Sequence, residues 1–517
     1  MQEGGSKLPH TEFDRPPHPY WLDFAPPATY PSLTENISVD VAVVGGGIAG
    51  ITCALLLKEA GFSVAVLEAD RVGRGATGHT TAKITSQHDI IYTKIRQALG
   101  ESLAKQYAEA NETAIKKIAE LIATKKLDCD FSRQNAYLFT GRDDYVPKLE
   151  EEAALASALG IKASVTDNPG LPFPVKAALC FEEQAQFHPL KYLFALAAEI
   201  PGGGSHLFER TRVIKLEEGD NFCLHADGGG RVTAAKVVLA TQYPCYNKAG
   251  LYFSRIYVER SYVVAIRAKE PYPGGMYISA EEPGRSLRAT PVDGGQLVLI
   301  GGEHHKTGQG PDTTTHYRNL AAFAREIYAG AEIRYRWSTQ DCTTVDRIPY
   351  VGRFLPDSPN LYLITGFAKW GMTNSMAAAL LIRDLLVKGE SPWQDVYDPA
   401  RKTAAAAAKT FLVENLNVAK EFIAGKLASA PSVEDVRPGE GKNVVYHGQK
   451  AGAYRDEDGK LYLVDTTCTH LGCELSWNAA ERTWDCPCHG SRFSYTGEII
   501  TGPAVEPLSS LKEPAKT

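Results

Sequence analysis

"VDVAVVGGGIAGITCALLLKEAGFSVAVLEAD", residues 39–70, sets the frame for the chain. Its apolar, β-branched opening reads as a buried strand and the glycines as a turn. The stretch rich in alanine and leucine reads as a helix, and its last residues as a second strand. Gly45, Gly47 and Gly50 give G-x-G-x-x-G at the strand-to-helix junction. Glycine permits the tight turn and lets the backbone approach a pyrophosphate, whose charge the helix N-terminus then faces. Glu68 closes the second strand 23 residues after the first glycine, where its carboxylate can accept from ribose hydroxyls. In that order, these features predict a dinucleotide site, with Ile48, Ala49 and Ala69 beside the glycines and the acid.

A different chemistry stands near the other end. "TTCTHLGCELSWNAAERTWDCPCHGSRF", residues 466–493, contains Cys468-x-His470 and, after fifteen residues, Cys486-x-x-His489. Two thiolates and two imidazoles suit tetrahedral zinc. Three details favour iron. Each loop offers one sulfur and one nitrogen, as a two-iron centre with Cys₂ and His₂ irons requires. Each loop also carries a further cysteine, Cys473 and Cys488, that the metal does not need. Gly472, Pro487 and Gly490 permit turns that bring amides toward bridging sulfides. The stretch resembles the Rieske family, in its C-T-H-x-G-C and C-P-C-H-G-S branch. That resemblance implies a disulfide between Cys473 and Cys488 and a hydrogen bond from Ser491 to the cluster. Phe493 stands where the branch carries a hydrogen-bonding tyrosine, so a lower potential than in respiratory relatives is expected. "VVYHGQKAGAYRDEDGKLYLVD", residues 444–465, alternates as strands do, with a polar turn at 456–459.

Between these ends lie pieces that favour FAD over NAD. "RVGRGATGHTTAKIT", residues 71–85, is rich in small and hydroxyl residues suited to a pyrophosphate and a flavin ring. A second nucleotide-side turn is read at Ala240-Thr241. "LYLITGFAKWGMTNSMAAALLIRDLL", residues 361–386, runs strand, glycine loop and helix, its N-terminus suited to charge on a reduced flavin. "FHPLKYLFALAAEI" and the D-x-x-P-x-x-G of Asp346, Pro349 and Gly352 complete a pattern over residues 36–400. The pattern resembles the D-amino-acid oxidase-like FAD oxidoreductases. The resemblance implies that Gly45, Gly47, Gly50 and Glu68 bind the ADP half, with Val213 beside the adenine. It places residues 77–83, including Thr77, Thr80 and Thr81, and residues 366–373, including Gly366, Gly371, Met372 and Thr373, around the flavin, with Arg74 and Ala76 leading in. Some relatives tether FAD through a cysteine seven residues before that Asp. Thr339 stands there and Cys342 lies three residues later, so FAD is expected to be non-covalent. As a whole the chain resembles a bacterial fusion of such a dehydrogenase with a Rieske domain.

The expected fold is an α/β FAD-binding Rossmann-like domain with an inserted α+β substrate domain, followed by a small all-β Rieske domain. FAD-binding segments are read at 36–90, 180–245 and 345–395, and substrate segments at 91–179 and 246–344. A helical linker at 401–430 leads to the Rieske domain at 431–517. In that linker Phe411, Leu412, Leu416, Ala419, Phe422, Ile423 and Leu427 share a helical face. It reads as a connecting helix packed on the flavin domain, with a membrane-surface helix as the alternative. The 517 residues allow two or three domains, and the net charge of −6 argues against nucleic-acid binding. Neither a leader at the N-terminus nor a membrane span is read, so a cytoplasmic protein is expected, with peripheral membrane attachment as the alternative.

The expected activity is an FAD-dependent dehydrogenase. A small amine, amino acid or hydroxy acid reduces FAD, the cluster relays single electrons, and a carrier protein or quinone receives them. Alternatives are a reductase fed by NAD(P)H and a redox sensor or carrier without catalysis. Lys83, His304 and His305 are catalytic or substrate-contact candidates, and Arg255, Arg260 and Arg336 are candidates to orient a substrate carboxylate.

Overall fold

The computed structural model describes residues 13, 15–246, 250–310, 312–401, 405–427 and 430–511. The predicted start of the linker, the chain end at 517 and most of the stretch read for a leader lie outside these residues.

Strand β1 (Asn36–Val44), helix α1 (Ile48–Glu59) and strand β2 (Val64–Leu67) form as the opening sequence requires. Val41, Ala42 and Val43 are fully buried, as a parallel strand covered on both faces must be. The eight-stranded sheet runs Tyr350–Arg353, Leu361–Thr365, Arg231–Gln242, β1, β2, His206–Phe208. All but the first of these six strands are parallel. A hairpin, Val213–Glu217 with Phe222–Ala226, hangs on Arg231–Gln242. Chain order reverses between β1 and Arg231–Gln242, and their carboxyl ends open the crevice where doubly wound sheets bind nucleotides. Helix α1 packs against the helix Gly371–Lys388 over one face.

A nine-stranded sheet stands beside it, ordered Glu332–Thr344, Ile256–Arg267, Gly295–Lys306, Arg285–Val292, Met276–Ser279, Ser132–Thr140, Ala177–Gln186, Lys83–Ile84, with Ala163–Thr166 also paired to Ala177–Gln186. The boundaries drawn at 90 and 180 are corrected by this topology. Lys83–Ile84 and Ala177–Gln186 both belong to the second sheet, because Ala177–Gln186 pairs antiparallel with Ser132–Thr140. The predicted helical block appears as Ile91–Leu99 and Glu101–Lys125.

The two neighbours Glu332–Thr344 and Ile256–Arg267 form a wall. Arg260 pairs with Gln340, Val258 with Cys342 and Tyr262 with Ser338, while Ser261 pairs with Thr339 and Glu259 with Asp341. Directly paired residues share a face and successive residues alternate. Arg260, Gln340, Val258 and Ser338 therefore face one way, and Ser261, Trp337, Thr339 and Asp341 the other.

Beyond the helix Ala405–Leu427 come two small antiparallel sheets, of three and four strands. The expected packing of the helix's apolar face is corrected. Phe411, Leu412, Leu416 and Ile423 are exposed. Of that face Phe422 does pack, with Val418, on the cluster-bearing core, and polar anchorage is added by Glu414, which pairs with Lys306 at 2.7 Å, and Asn415 Nδ2, which donates to Ser254 O at 2.9 Å. The side chain of Leu427 lies outside the described residues.

Asp346 of the D-x-x-P-x-x-G turn is locked by Arg401, whose Nη2 and Nε donate to the carboxylate at 2.7 and 2.8 Å and which also donates to Ile348 O and Pro349 O. Burial would raise the Asp346 carboxyl, but the Arg401 guanidinium outweighs it and holds it below the usual range. Arg401→Met strands a buried carboxylate and should cost about 3–5 kcal/mol in chemical denaturation. Because the folded pKa is depressed, Asp346's own contribution is complete above the unfolded value near ~4. It is lost as pH falls through the folded one, so the wild-type advantage should shrink in acid.

Candidate functional site

The glycine turn is built for close backbone approach. At Gly45 (φ +112°) a Cβ would lie 2.5 Å from Ala240 O, and at Gly50 it would lie 1.9 Å from Gly45 O. No side chain caps α1 at Gly47, which leaves the helix start open to an anion. Thr77 Oγ1 accepts from Ile48 N at 3.0 Å, bringing residues 76–79 against the turn. Glu68 accepts from Gly46 N at 2.6 Å and Asp70 N at 2.9 Å, and desolvation still raises its carboxyl. Thr211 N donates to Glu68 O at 2.8 Å, which sets Val213 beside the end of β2. Ala49 and Ala69 are half-buried at the same end, whereas the Arg74 side chain is exposed. Ala76 opens the short 3₁₀ turn, and Thr241 follows Ala240 at the mouth of the crevice. This cradle fits a dinucleotide diphosphate.

The expected flavin-flanking segments are stapled from several sides. Trp21 Nε1 donates to Thr80 O, Trp337 Nε1 to His79 O, and Arg288 Nη1 to Thr81 O and Ala82 O at 2.9 Å. Gly366 (φ +79°) leaves no room for a side chain, since its Cβ would meet Thr344 Cγ2 at 2.4 Å. Gly371 starts the facing helix, and behind it Met372 and Thr373 are buried. Thr373 donates to Thr85 O at 2.9 Å, and buried His88 stacks on Trp370 with centroids 4.9 Å apart. Lys369, in the loop before this helix, pairs with Asp341 at 2.5 Å, and Ser261 also donates to Asp341. The odd-numbered face of the wall thus meets the loop expected at the flavin.

Lys83 donates to Tyr277 O at 2.9 Å and to Ser286 Oγ. Burial, with the Arg288 charge beside it, lowers its ammonium to about 7, and burial lowers Arg288 to about 9. Sequence reading passed over Arg288. Its side chain is buried within the strand Arg285–Val292, where four consecutive residues from Leu287 to Thr290 are buried, and no alternation in the sequence marked it. The three arginines favoured by sequence lie elsewhere: Arg255 over the Tyr350 ring, Arg336 on the N-terminal segment at Phe13 O, and Arg260 against the iron-binding half.

In that half, Cys468 and Cys486 are buried free thiols, and Cys473 is disulfide-bonded to Cys488, joining the two loops. His470 Nδ1 and His489 Nδ1 are both buried and meet no hydrogen-bonding group among the described residues. Their rings stand 5.1 Å apart. Two adjacent thiols and two unpartnered ring nitrogens fit the Cys₂His₂ donor set of a two-iron cluster. The neighbouring Cys486 lowers the Cys468 thiol, helped by the His470 and Leu471 amides and the Ser491 hydroxyl. Ser491 Oγ also accepts from Ala504 N at 3.1 Å, on a third loop, residues 502–504, that sequence reading did not mark.

The second face of the wall carries this half. A Cβ on Gly490 would lie 2.5 Å from Val258 Cγ2, Gln340 Nε2 donates to Gly490 O at 2.9 Å, and His489 meets Phe253 edge-on at 5.7 Å. Gln309 Nε2 donates to Pro487 O at 3.1 Å. Fully buried Arg260 faces Glu481 at 3.8 Å, which also accepts from Tyr317 OH at 2.8 Å. Arg492 binds Asp485 at 3.1 Å. His305 donates from Nδ1 to Lys306 O and Gln309 O, accepts from Tyr262 OH, and stacks on His316 with centroids 4.6 Å apart. His305 therefore shapes the loop that meets the cluster, and His304 pairs with Glu282 at 3.0 Å nearer the surface. Ser491→Ala should leave iron content unchanged and lower the cluster potential by about 60 mV. That is the one-electron equivalent of ~1.4 kcal/mol for a hydrogen bond to a charged centre, read by redox titration.

Comparison with known proteins agrees with both halves. Residues 40–385 match the family described as FAD dependent oxidoreductase (DAO), and residues 427–512 match the Rieske [2Fe-2S] domain. The Rieske 2Fe-2S iron-sulfur protein YhfW of Bacillus subtilis is 42% identical over 497 residues, 96% of this chain and 97% of its own. γ-Glutamylputrescine oxidoreductase of Escherichia coli is 26% identical over 398 residues, 72% of this chain and 88% of its own. The crystal structure of glycine oxidase from Geobacillus kaustophilus superposes with a TM-score of 0.60 at 20% identity, covering 71% of this chain and 100% of that one. The chain belongs to the DAO family of FAD-dependent oxidoreductases and carries a Rieske [2Fe-2S] domain behind the flavin half.

Proposed function

We propose that this oxidoreductase oxidises a small amine, amino acid or hydroxy acid and sends the electrons to its own Rieske cluster, then to an external carrier protein or quinone. The observation that carries the reading is the wall. One face of two adjacent strands bears Asp341 and Ser261 against Lys369 of the flavin-side loop, and the other bears Val258 and Gln340 against the cluster loop at Gly490. A single layer of backbone separates the two groups of residues. When bound, FAD supplies a two-electron hydride acceptor that can release electrons singly, and the cluster supplies a one-electron relay.

The chain's residues do the rest. Gly45, Gly47, Gly50 and Glu68 would hold the ADP half, and the stapled segments 77–83 and 366–373 would hold the ring. Buried Arg288 and half-buried Lys83 place two basic groups beside these segments, a field suited to a substrate carboxylate. Trp21 and Trp337 hold that segment through their bonds to Thr80 O and His79 O. Cys342 lies on the cluster-facing side of the wall with burial raising its thiol, which supports non-covalent FAD. The name of the E. coli relative agrees with a nitrogen-bearing substrate.

An anaerobic screen of amines, amino acids and hydroxy acids tests the reading. A true substrate should bleach the flavin and raise the paramagnetic signal of the reduced cluster in the same sample. Bleaching without cluster reduction would sink it. Glu481→Gln, which weakens the contact with Arg260, should slow cluster reduction about tenfold, the effect of ~1.4 kcal/mol on a barrier, and leave bleaching unchanged. Lys83, with an ammonium near 7, should give flavin reduction a pH step there. In Lys83→Met the rate should fall about tenfold at pH below the step and little above it, flattening the profile.

A further inference from the structure

Among the described residues, twelve large hydrophobic side chains are exposed, and five of them, Phe411, Leu412, Val413, Leu416 and Ile423, lie on the single helix Ala405–Leu427. Leu412, Leu416 and Ile423, with Ala419 between, recur at helical spacing and make one continuous ridge. A sixth, Leu251, stands on the turn whose Ser254 carbonyl receives Asn415 of this helix. The exposed charges on the helix between residues 407 and 426 are Lys409, Lys420 and Lys426, all positive. Its acids point elsewhere: Glu414 is spent on Lys306, and Glu421 is half-buried. An apolar ridge on a soluble face is costly unless something covers it. No helix among the described residues is long and apolar enough to cross a membrane, so the ridge would lie on a surface and not span one.

We propose that this helix docks the enzyme on an anionic lipid surface, with Leu412, Leu416 and Ile423 entering the acyl boundary and Lys409, Lys420 and Lys426 meeting headgroup charge. The charge pattern selects this occupant. Lysines flanking an apolar stripe complement negative headgroups, and each basic residue near such a surface adds to attraction that salt screens. An adjoining side of the same helix, Val418 and Phe422, packs on the core that contains Cys468 and Cys486. Docking would therefore set the cluster domain at the membrane, where a lipid-soluble acceptor is concentrated. The proposal does not depend on which substrate is oxidised.

Co-sedimentation of the full-length protein, carrying both cofactors, with vesicles tests it. Vesicles of phosphatidylcholine alone should bind little. Vesicles with a third phosphatidylglycerol should bind at least tenfold more, and molar salt should abolish the difference. Leu412→Glu/Leu416→Glu should lose binding while keeping the flavin and cluster absorbance and the rate of flavin reduction. Lys409→Glu/Lys420→Glu/Lys426→Glu, which leaves the apolar ridge intact, should lose it too. The proposal fails if the wild-type protein ignores anionic vesicles, or if both variants bind as well as wild type. It also fails if the ridge instead mediates self-association, seen as a dimer in sedimentation velocity that Leu416→Glu converts to monomer.

Discussion

Arg260 sits on an interior strand of the second sheet with no exposure, and the groups that answer its charge, Glu481 and Asp485, belong to the iron-binding half. Glu481 and Asp485 keep the Arg260 guanidinium charged against its burial, so burying it commits the fold to keeping those carboxylates opposite. Desolvation raises Glu481 and Asp485, and the two arginines, Arg260 and Arg492, outweigh it and hold both ionised. Undocking would leave an unpaired cation inside the flavin half and leave Arg492 alone to answer both Glu481 and Asp485 on the Rieske half. Beside these charges Gln340 reaches Gly490, Gln309 reaches Pro487 and Phe253 meets His489.

The wall shows how one element serves two centres. A strand presents successive side chains to opposite faces, so a single strand can be specified separately for each. In Glu332–Thr344 the even positions Ser338 and Gln340 serve the cluster side, and the odd positions Trp337 and Asp341 the flavin side. This double duty explains why nearly every residue from Arg336 to Thr344 is buried, polar ones included. Trp337, Ser338, Gln340, Asp341 and Thr344 each have a hydrogen-bonding or charged partner, which is the ordinary condition for burying them.

The sequence disclosed what local chemistry demands. Gly45 and Gly50 could be read because no other residue fits a backbone carbonyl that close. Cys468, His470, Cys486 and His489 could be read because ligand spacing within a loop is a local matter. What needed the structure was non-local. Ala177–Gln186 opens on an apolar stretch that reads as any buried strand, and only its pairing with Ser132–Thr140 assigns it to the second sheet. Arg260 and Arg288 look alike in sequence, yet one answers the Rieske domain and the other holds Thr81 and Ala82. The helix Ala405–Leu427 misled in an instructive way. Its apolar stripe suggested a buried face, whereas two polar residues, Glu414 and Asn415, supply much of the anchorage.

The docked arrangement bears on tempo. A redox domain that swings on a flexible tether between two stations moves no faster than solvent drag allows, and thickening the medium slows it. Here the loop that carries Cys486 and His489 already rests on the wall, so the proposed internal transfer would need no journey. Friction from glycerol or sucrose would be felt only where an outside molecule arrives or leaves.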